Sequence, residues 1–198
     1  INAGLVGSEM CIRDRVKGTR VGIGIFDLCS RQSGNSISVK RKKELTGRSW
    51  PNGCHVAEVE IDAETGEVRL DRYVSVDDVG NTVNPMIVHG QVQGGIASGL
   101  GQAVLERTEY DASGQLLSGS YMDYALPRAD DMPSLSGSLF EKAPCLTNPL
   151  GAKGTGEIGA VAGPPAIVHA VIDALAEKGI TQVDMPLQPQ KIWECLNR

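Results

Sequence analysis

The sequence predicts an α+β fold of two layers, a mixed sheet with helices packed on one face. Three observations carry that expectation. His55 to Asp62 alternates at period two, with His55, Ala57, Val59 and Ile61 on one face and Glu58, Glu60 and Asp62 on the other, the pattern of a half-buried strand. Asn84-Pro85 sets a capping residue before a proline at the first helical position, which opens a helix. Ile167, Val168, Val171, Ile172 and Leu175 recur at helical spacing and end at Lys178-Gly179, which marks a second helix.

The first residues stand apart. Leu5 to Arg15 reads Leu-Val-Gly-Ser-Glu-Met-Cys-Ile-Arg-Asp-Arg, which one reading frame of a transposase adapter used in sequencing libraries encodes. Residues 1–15 are therefore expected to be an adapter scar, poorly packed and outside the native fold. On that expectation the gene continues upstream and the chain is a carboxy-terminal fragment. Val16 to Leu28 mixes β-formers with Gly18, Gly22 and Gly24 and reads as a short irregular strand running into a helical start at Phe26-Asp27-Leu28. Arg31 to Ser49 is polar and holds Lys40-Arg41-Lys42-Lys43. Without interleaved aromatics that run reads as a solvated loop rather than a nucleic-acid surface. Residues 16–50 form an irregular N-terminal segment.

Pro51-Asn52-Gly53 is a turn signal, and regular structure is expected after it. The strand from His55 is followed by Ala63-Glu64-Thr65-Gly66, a hairpin turn with glycine where a positive φ is needed, and by a return strand over Glu67 to Val76. Asp77-Asp78-Val79-Gly80 is expected to close the hairpin as a turn. The helix from Pro85 should run to about Glu106. Ile87 to Leu105 contains no Asp, Glu, Lys or Arg, yet five glycines, three glutamines, Ser98 and His89 make it too polar for a membrane span. Each interior glycine costs about 1 kcal/mol relative to alanine, so close packing against backbone or cofactor is expected in compensation. A second hairpin is expected around Ala112-Ser113-Gly114, a strand over Leu135 to Glu141, a helix opening at Gly163-Pro164-Pro165, a short strand over Ile180 to Val183, and a helical turn or two over Pro189 to Leu196.

Composition narrows the chemistry. With 198 residues the chain fits one ordinary domain or part of a larger one, and a formal net charge of −5 gives no electrostatic reason to expect nucleic acid. The five cysteines are dispersed with no Cys-x-x-Cys pair, which argues against a zinc ribbon or an iron–sulfur site in this chain. Their odd number and the lack of a secretory signal fit a reducing cytoplasm. Neither do the three histidines show metal-ligand spacing, and structural or surface roles are expected for them.

The most informative segment is Gly151-Ala-Lys-Gly-Thr-Gly-Glu-Ile-Gly159. Its lysine precedes the last glycines instead of following them, which separates it from a P-loop. Gly99-Leu100-Gly101 lies inside a helix signal with no strand leading in, so it is no dinucleotide fingerprint. A glycine loop ahead of a helix still suits an anionic ligand. Glu157 within it reads equally well as a partly desolvated general base or as a glutamate paired to Lys153 or capping the helix.

Pro51-Asn52-Gly53-Cys54-His55, Asp78-Val79-Gly80 with Asn84-Pro85, Gly90-Gln91-Val92-Gln93-Gly94-Gly95, and Asn148 to Glu157 occur in that order. The series strongly resembles the carboxy-terminal region of the molybdopterin-binding large subunit of the xanthine oxidase, aldehyde oxidase and aerobic carbon monoxide dehydrogenase family, and residues 51–198 would be that region. The resemblance implies a molybdenum hydroxylase that oxidises an aldehyde, a heterocycle, a related small molecule or carbon monoxide. It implies Glu157 as the catalytic base toward a metal-bound hydroxyl or water, and Gly90, Gln91, Lys153, Gly154, Thr155 and Gly156 as cofactor-binding residues, with no protein ligand to the metal. It also implies molybdenum-molybdopterin in the cytosine dinucleotide form and cytoplasmic location. Partner subunits would carry iron–sulfur clusters and FAD, as an iron–sulfur small subunit and an FAD-binding medium subunit in a dimer of heterotrimers. The alternative is a non-catalytic remnant or subunit-interaction module that keeps the fold without cofactor.

Overall fold

The computed structural model describes residues 13–15, 18–40, 42, 44 and 47–197. Most of the adapter-like stretch, residues 1–12, and Arg41 and Lys43 of the basic run lie outside the described residues. The chain divides into two compact units, Ile1–Glu44 and Leu45–Arg198. In the first, β1 (Arg13–Arg15) pairs antiparallel with β2 (Gly22–Gly24), and α1 (Ile25–Ser30) follows directly. None of the residues of α1 is buried. Lys40 and Lys42 are exposed.

The second unit is the α+β layer pair. β3 (Asn52–Ile61) and β4 (Val68–Asp78) form the antiparallel hairpin, and β5 (Leu135–Leu139) joins the other edge of β4 in parallel. The sheet is thus mixed, in the order β3-β4-β5. Gly66 turns the hairpin with φ 76°, a left-handed conformation that suits glycine. A bulge where Glu58 faces Arg72 and Val59 faces Leu70 inserts Asp71 into β4. The extra residue changes the phase of the strand, so that Leu70 and then Tyr73, Ser75 and Asp77 all face inward and are buried.

Two helices cover that inward face. α2 (Pro85–Leu100) begins as expected, with the Asn84 side chain accepting the Ile87 N–H at 3.2 Å. It continues as a π turn over Gly101–Leu105, closed by Glu106 N–H to Gly101 O at 2.7 Å. α3 (Ile158–Ala174) crosses it closely. A Cβ on Gly95 would lie 2.8 Å from Ala160 N, and one on Gly99 would lie 2.9 Å from Pro164 Cδ. Two of the costly glycines of α2 are therefore offset by backbone contact with α3. Gly90 and Gly94 meet no atom within 4 Å of a Cβ and face open space.

Leu70, Tyr73, Val92, Ile96 and Ile167 build the main core between sheet and helices. A second cluster joins Val171 and Leu175 to Leu187, Ile192 and Cys195 near the end of the chain, where α4 (Pro189–Leu196) closes it.

Three expectations need correction. α3 starts at Ile158, five residues before Gly163, and carries Pro164 and Pro165 in its interior. Each proline removes a helical hydrogen bond, but burial of Ile158, Gly159 and Gly163 against the rest of the unit extends the helix through them. Residues 180–183 join no ladder; Ile180 and Val183 instead pack as irregular chain into the second cluster. Asp77 and Asp78 belong to β4, not to a turn, and are 1% and 8% exposed. The second hairpin is narrow, one bridge between Tyr110 and Leu116 around Gly114 at φ 85°.

Candidate functional site

The loop that holds Glu157 is laced to the end of β4. Gly80 bridges Ala152, Lys153 donates its N–H to Val79 O at 2.7 Å, and Asn81 donates its N–H to Gly151 O at 2.9 Å. Gly80 (φ 67°) and Gly151 (φ 68°) approach too closely for any Cβ between them. This contact fixes where the loop leaves the sheet.

Beyond it, Lys153 turns its ammonium to Asp78, Nζ to Oδ2 at 2.6 Å, with both side chains 11% exposed. Burial pushes the Asp78 pKa up, but the Lys153 hydrogen bond, the Gly80 N–H, the Lys153 charge and a side-chain bond from Asn52 outweigh it and hold the carboxyl below its ordinary value. Lys153 is thus engaged with Asp78 and makes no ion pair with Glu157.

Glu157 stands at the N-cap of α3 and makes no side-chain cap hydrogen bond. Among the described residues its carboxylate has no ion pair or hydrogen-bond partner. Both competing roles, ion pair and cap, are therefore unfilled. It is exposed, so the desolvation expected of it is not supplied by this chain. Glu157 lines a cleft of about 540 Å³, whose walls include Trp50, Asn52, Thr155, Ile158 and Val161.

Gly90 and Gln91 come to the same loop from α2. With Gly94, Ser98 and Gly156 they line a second hollow of about 320 Å³. A Cβ on Gly156 would lie 3.7 Å from Gln91 Oε1. Gly156 thus lines both openings, one shared with Gln91 and the other with Glu157.

His55 lines the larger cleft and leads inward to a buried polar network. His55 Nδ1 lies 2.9 Å from Tyr73 Oη and its Nε2 lies 2.9 Å from Asp77 Oδ1, while Ser75 Oγ donates to Asp77 Oδ2 at 2.8 Å. A carboxylate only accepts, so in the neutral ring Nε2 carries the proton and Tyr73 donates to Nδ1. Burial, with the Asp77 charge adding, pushes the Tyr73 phenol well above its ordinary pKa. The available signal was the alternation Tyr73, Ser75, Asp77 continuing past Val76. Reading the aspartates as a turn hid it.

The residues suit a tightly held polar group. Thr155 Oγ1 is buried beside the cleft without a partner. Cβ positions on Gly90, Gly94 and Gly154 meet nothing within 4 Å, which leaves room for direct approach to the backbone. Among the described residues, no group of three or more His, Cys, Asp or Glu is arranged to hold a metal ion.

A two-layer unit with a glycine loop, an unpartnered carboxylate and open backbone on a neighbouring helix is a cofactor-binding domain. Residues 24–133, more than half of the chain, match the molybdopterin cofactor-binding domain family. The chain belongs to that family, as part of a molybdopterin-binding large subunit of the xanthine oxidase type.

Relatives support the assignment. The chain is 37% identical over 148 residues to the carbon monoxide dehydrogenase large chain of Hydrogenophaga pseudoflava, covering 75% of this chain and 18% of that one. It is 37% identical over 190 residues to the 6-hydroxypseudooxynicotine dehydrogenase complex subunit gamma of Paenarthrobacter nicotinovorans, covering 90% of this chain and 24% of that one. Its structure is similar to quinoline 2-oxidoreductase from Pseudomonas putida 86, with a TM-score of 0.72 and 40% identity over 75% of this chain and 19% of that one. The chain spans about a fifth of the length of these relatives.

Proposed function

We propose that this chain supplies the base-bearing part of the active site of a molybdenum hydroxylase. The observation that carries the reading is Glu157, which lines a cleft and whose carboxylate has neither ion pair nor cap bond among the described residues, one residue from the Gly156 that borders Gln91. A carboxylate left without a structural partner is available to accept a proton. Glu157 takes the proton released as an oxygen is delivered to the carbon of a small molecule, an aldehyde, a heterocycle or carbon monoxide. The molybdenum cofactor, bound as the cytosine dinucleotide form, supplies the redox chemistry. Gln91 would hydrogen-bond the cofactor, and Gly156, the open backbone of Gly90 and Gly154, and Thr155 Oγ1 would help to hold it.

Electrons leave through an iron–sulfur small subunit and an FAD-binding medium subunit of a cytoplasmic dimer of heterotrimers. Among the described residues, no helix is long and apolar enough to cross a membrane. The decisive experiment is Glu157→Gln in the molybdenum-loaded enzyme. We expect kcat to fall by about 10²–10⁴, the usual contribution of a positioned base, with molybdenum per protein unchanged. Turnover within threefold of wild type would sink the proposal.

A further inference from the structure

We propose that Asp78 and Lys153 form a brace that sets the reach of Glu157 across the cleft, with Lys153 acting as a positioning residue through Asp78 and not as a contact to the cofactor. This rests on the reading of Glu157 as the base. Asp78 ends the central strand of the sheet, 8% exposed. One of its oxygens accepts the Gly80 N–H at 2.9 Å and the other accepts Lys153 Nζ at 2.6 Å. Asn52 is paired with Asp78 in the β3-β4 ladder.

Those contacts tie together two walls of one cleft. Asn52 lies on the β3 side, and the loop that Lys153 begins leads to Glu157 on the other. After Lys153 N–H bonds Val79 O, the backbone bonds of the loop turn local, Ile158 N–H to Thr155 O at 3.4 Å and Val161 N–H to Glu157 O at 2.9 Å. The Lys153 side chain is thus the last tie to the sheet before the carboxylate. A Cβ on Gly154, which follows, would meet nothing within 4 Å, so no neighbour packs on that side of the loop. Gly80 leaves space for the lysine stem, since a Cβ there would lie 3.2 Å from Lys153 Cγ. The ammonium spends one of its three donors on Asp78, and that bond directs the side chain back to the sheet and holds it 11% exposed.

The test compares Lys153→Met, Lys153→Arg, Asp78→Asn and the double variant Asp78→Asn/Lys153→Met in the molybdenum-loaded enzyme, with hydrogen exchange on the metal-free chain as a second readout. Lys153→Met should lower kcat at least tenfold while KM and molybdenum content stay within twofold of wild type, and Lys153→Arg should recover most of the loss. The double variant should lose no more than its worse single, because both remove the same brace. Hydrogen exchange at residues 154–158 should speed up at least tenfold in Lys153→Met and Asp78→Asn, with exchange in the core of α2 unchanged.

Molybdenum content falling together with kcat would make Lys153 a cofactor contact and overturn the proposal. So would additive losses or unchanged exchange at the loop. Exchange on Asp78→Asn, which keeps its shape, decides the matter if Lys153→Met does not fold. A Glu157→Gln variant that turns over normally would remove the base reading alone, since the exchange response does not depend on it.

Discussion

His55 Nε2 lies 2.9 Å from Asp77 Oδ1, and the two side chains are 2% and 1% exposed. Ser75 donates to the other Asp77 oxygen, so one carboxylate satisfies two buried neighbours. With the ring neutral, removing the Asp77 carboxylate strands the buried His55 N–H and Ser75 hydroxyl, at about 1–3 kcal/mol for each unsatisfied donor. Asp77→Ala should therefore shift the urea midpoint of unfolding strongly, and Asp77→Asn, which still accepts, should shift it less. Equal midpoints for wild type and Asp77→Ala would show that the network adds nothing to stability.

Tyr73 extends that network and should make the fold sensitive to alkali. Burial, then the Asp77 charge, raises its folded pKa above the ordinary phenol value of about 10. A raised folded pKa means that its stabilising contribution is fully present below about pH 10 and is lost as pH rises toward the folded value. Ultraviolet titration of the four tyrosines should show one phenol ionising only as the chain unfolds. Tyr73→Phe should abolish that late phase, and its persistence in the variant would refute the assignment.

The Asp78 pair should fail at the opposite end of the pH scale. Its folded pKa is depressed despite burial, so its contribution is complete above about pH 4 and is lost as pH falls through the lowered folded value. Melting temperatures of wild type and Asp78→Asn should differ at neutral pH and converge in acid. A gap that stays constant down to strongly acid conditions would contradict the pair's role.

The glycines of α2 divide into two kinds with opposite expected signs. Gly95→Ala places a Cβ 2.8 Å from Ala160 N and 2.9 Å from Gly159 Cα, and overpacking of this kind costs about 1–3 kcal/mol. Gly94→Ala meets nothing and should stabilise the metal-free chain by about 1 kcal/mol through helix propensity. Chemical denaturation of both variants checks the pair. Loss of stability in Gly94→Ala would mean that its open face is filled.

Local signals were readable where one segment carries its own pattern. The β3 alternation, the Gly66 turn, the Asn84 cap and the Gly179 stop (φ 74°) are each written within a few residues. The start of α3 was not, because Pro164 and Pro165 oppose helix locally while contacts with α2, some seventy residues away in the chain, favour it. For the site, the order of motifs pointed to Gly90, Gln91 and the loop from Lys153 to Glu157. The structure brings Gly156 beside Gln91 and turns Lys153 toward Asp78.

The sequence by itself determined the β3-β4 hairpin and the α2 helix, the α+β class and the family, because periodicity, caps and ordered motifs are properties of neighbouring residues. Only the tertiary structure decided which charged groups are engaged and which are available. Asp77 and Asp78 became buried anchors because a bulge sets the phase of β4 and the hairpin runs on to its last residues. Glu157 is without its ion-pair partner because Lys153 reaches Asp78 across 75 positions of sequence. Pairing at that separation is set by how the sheet and the loop pack, and no local pattern records it.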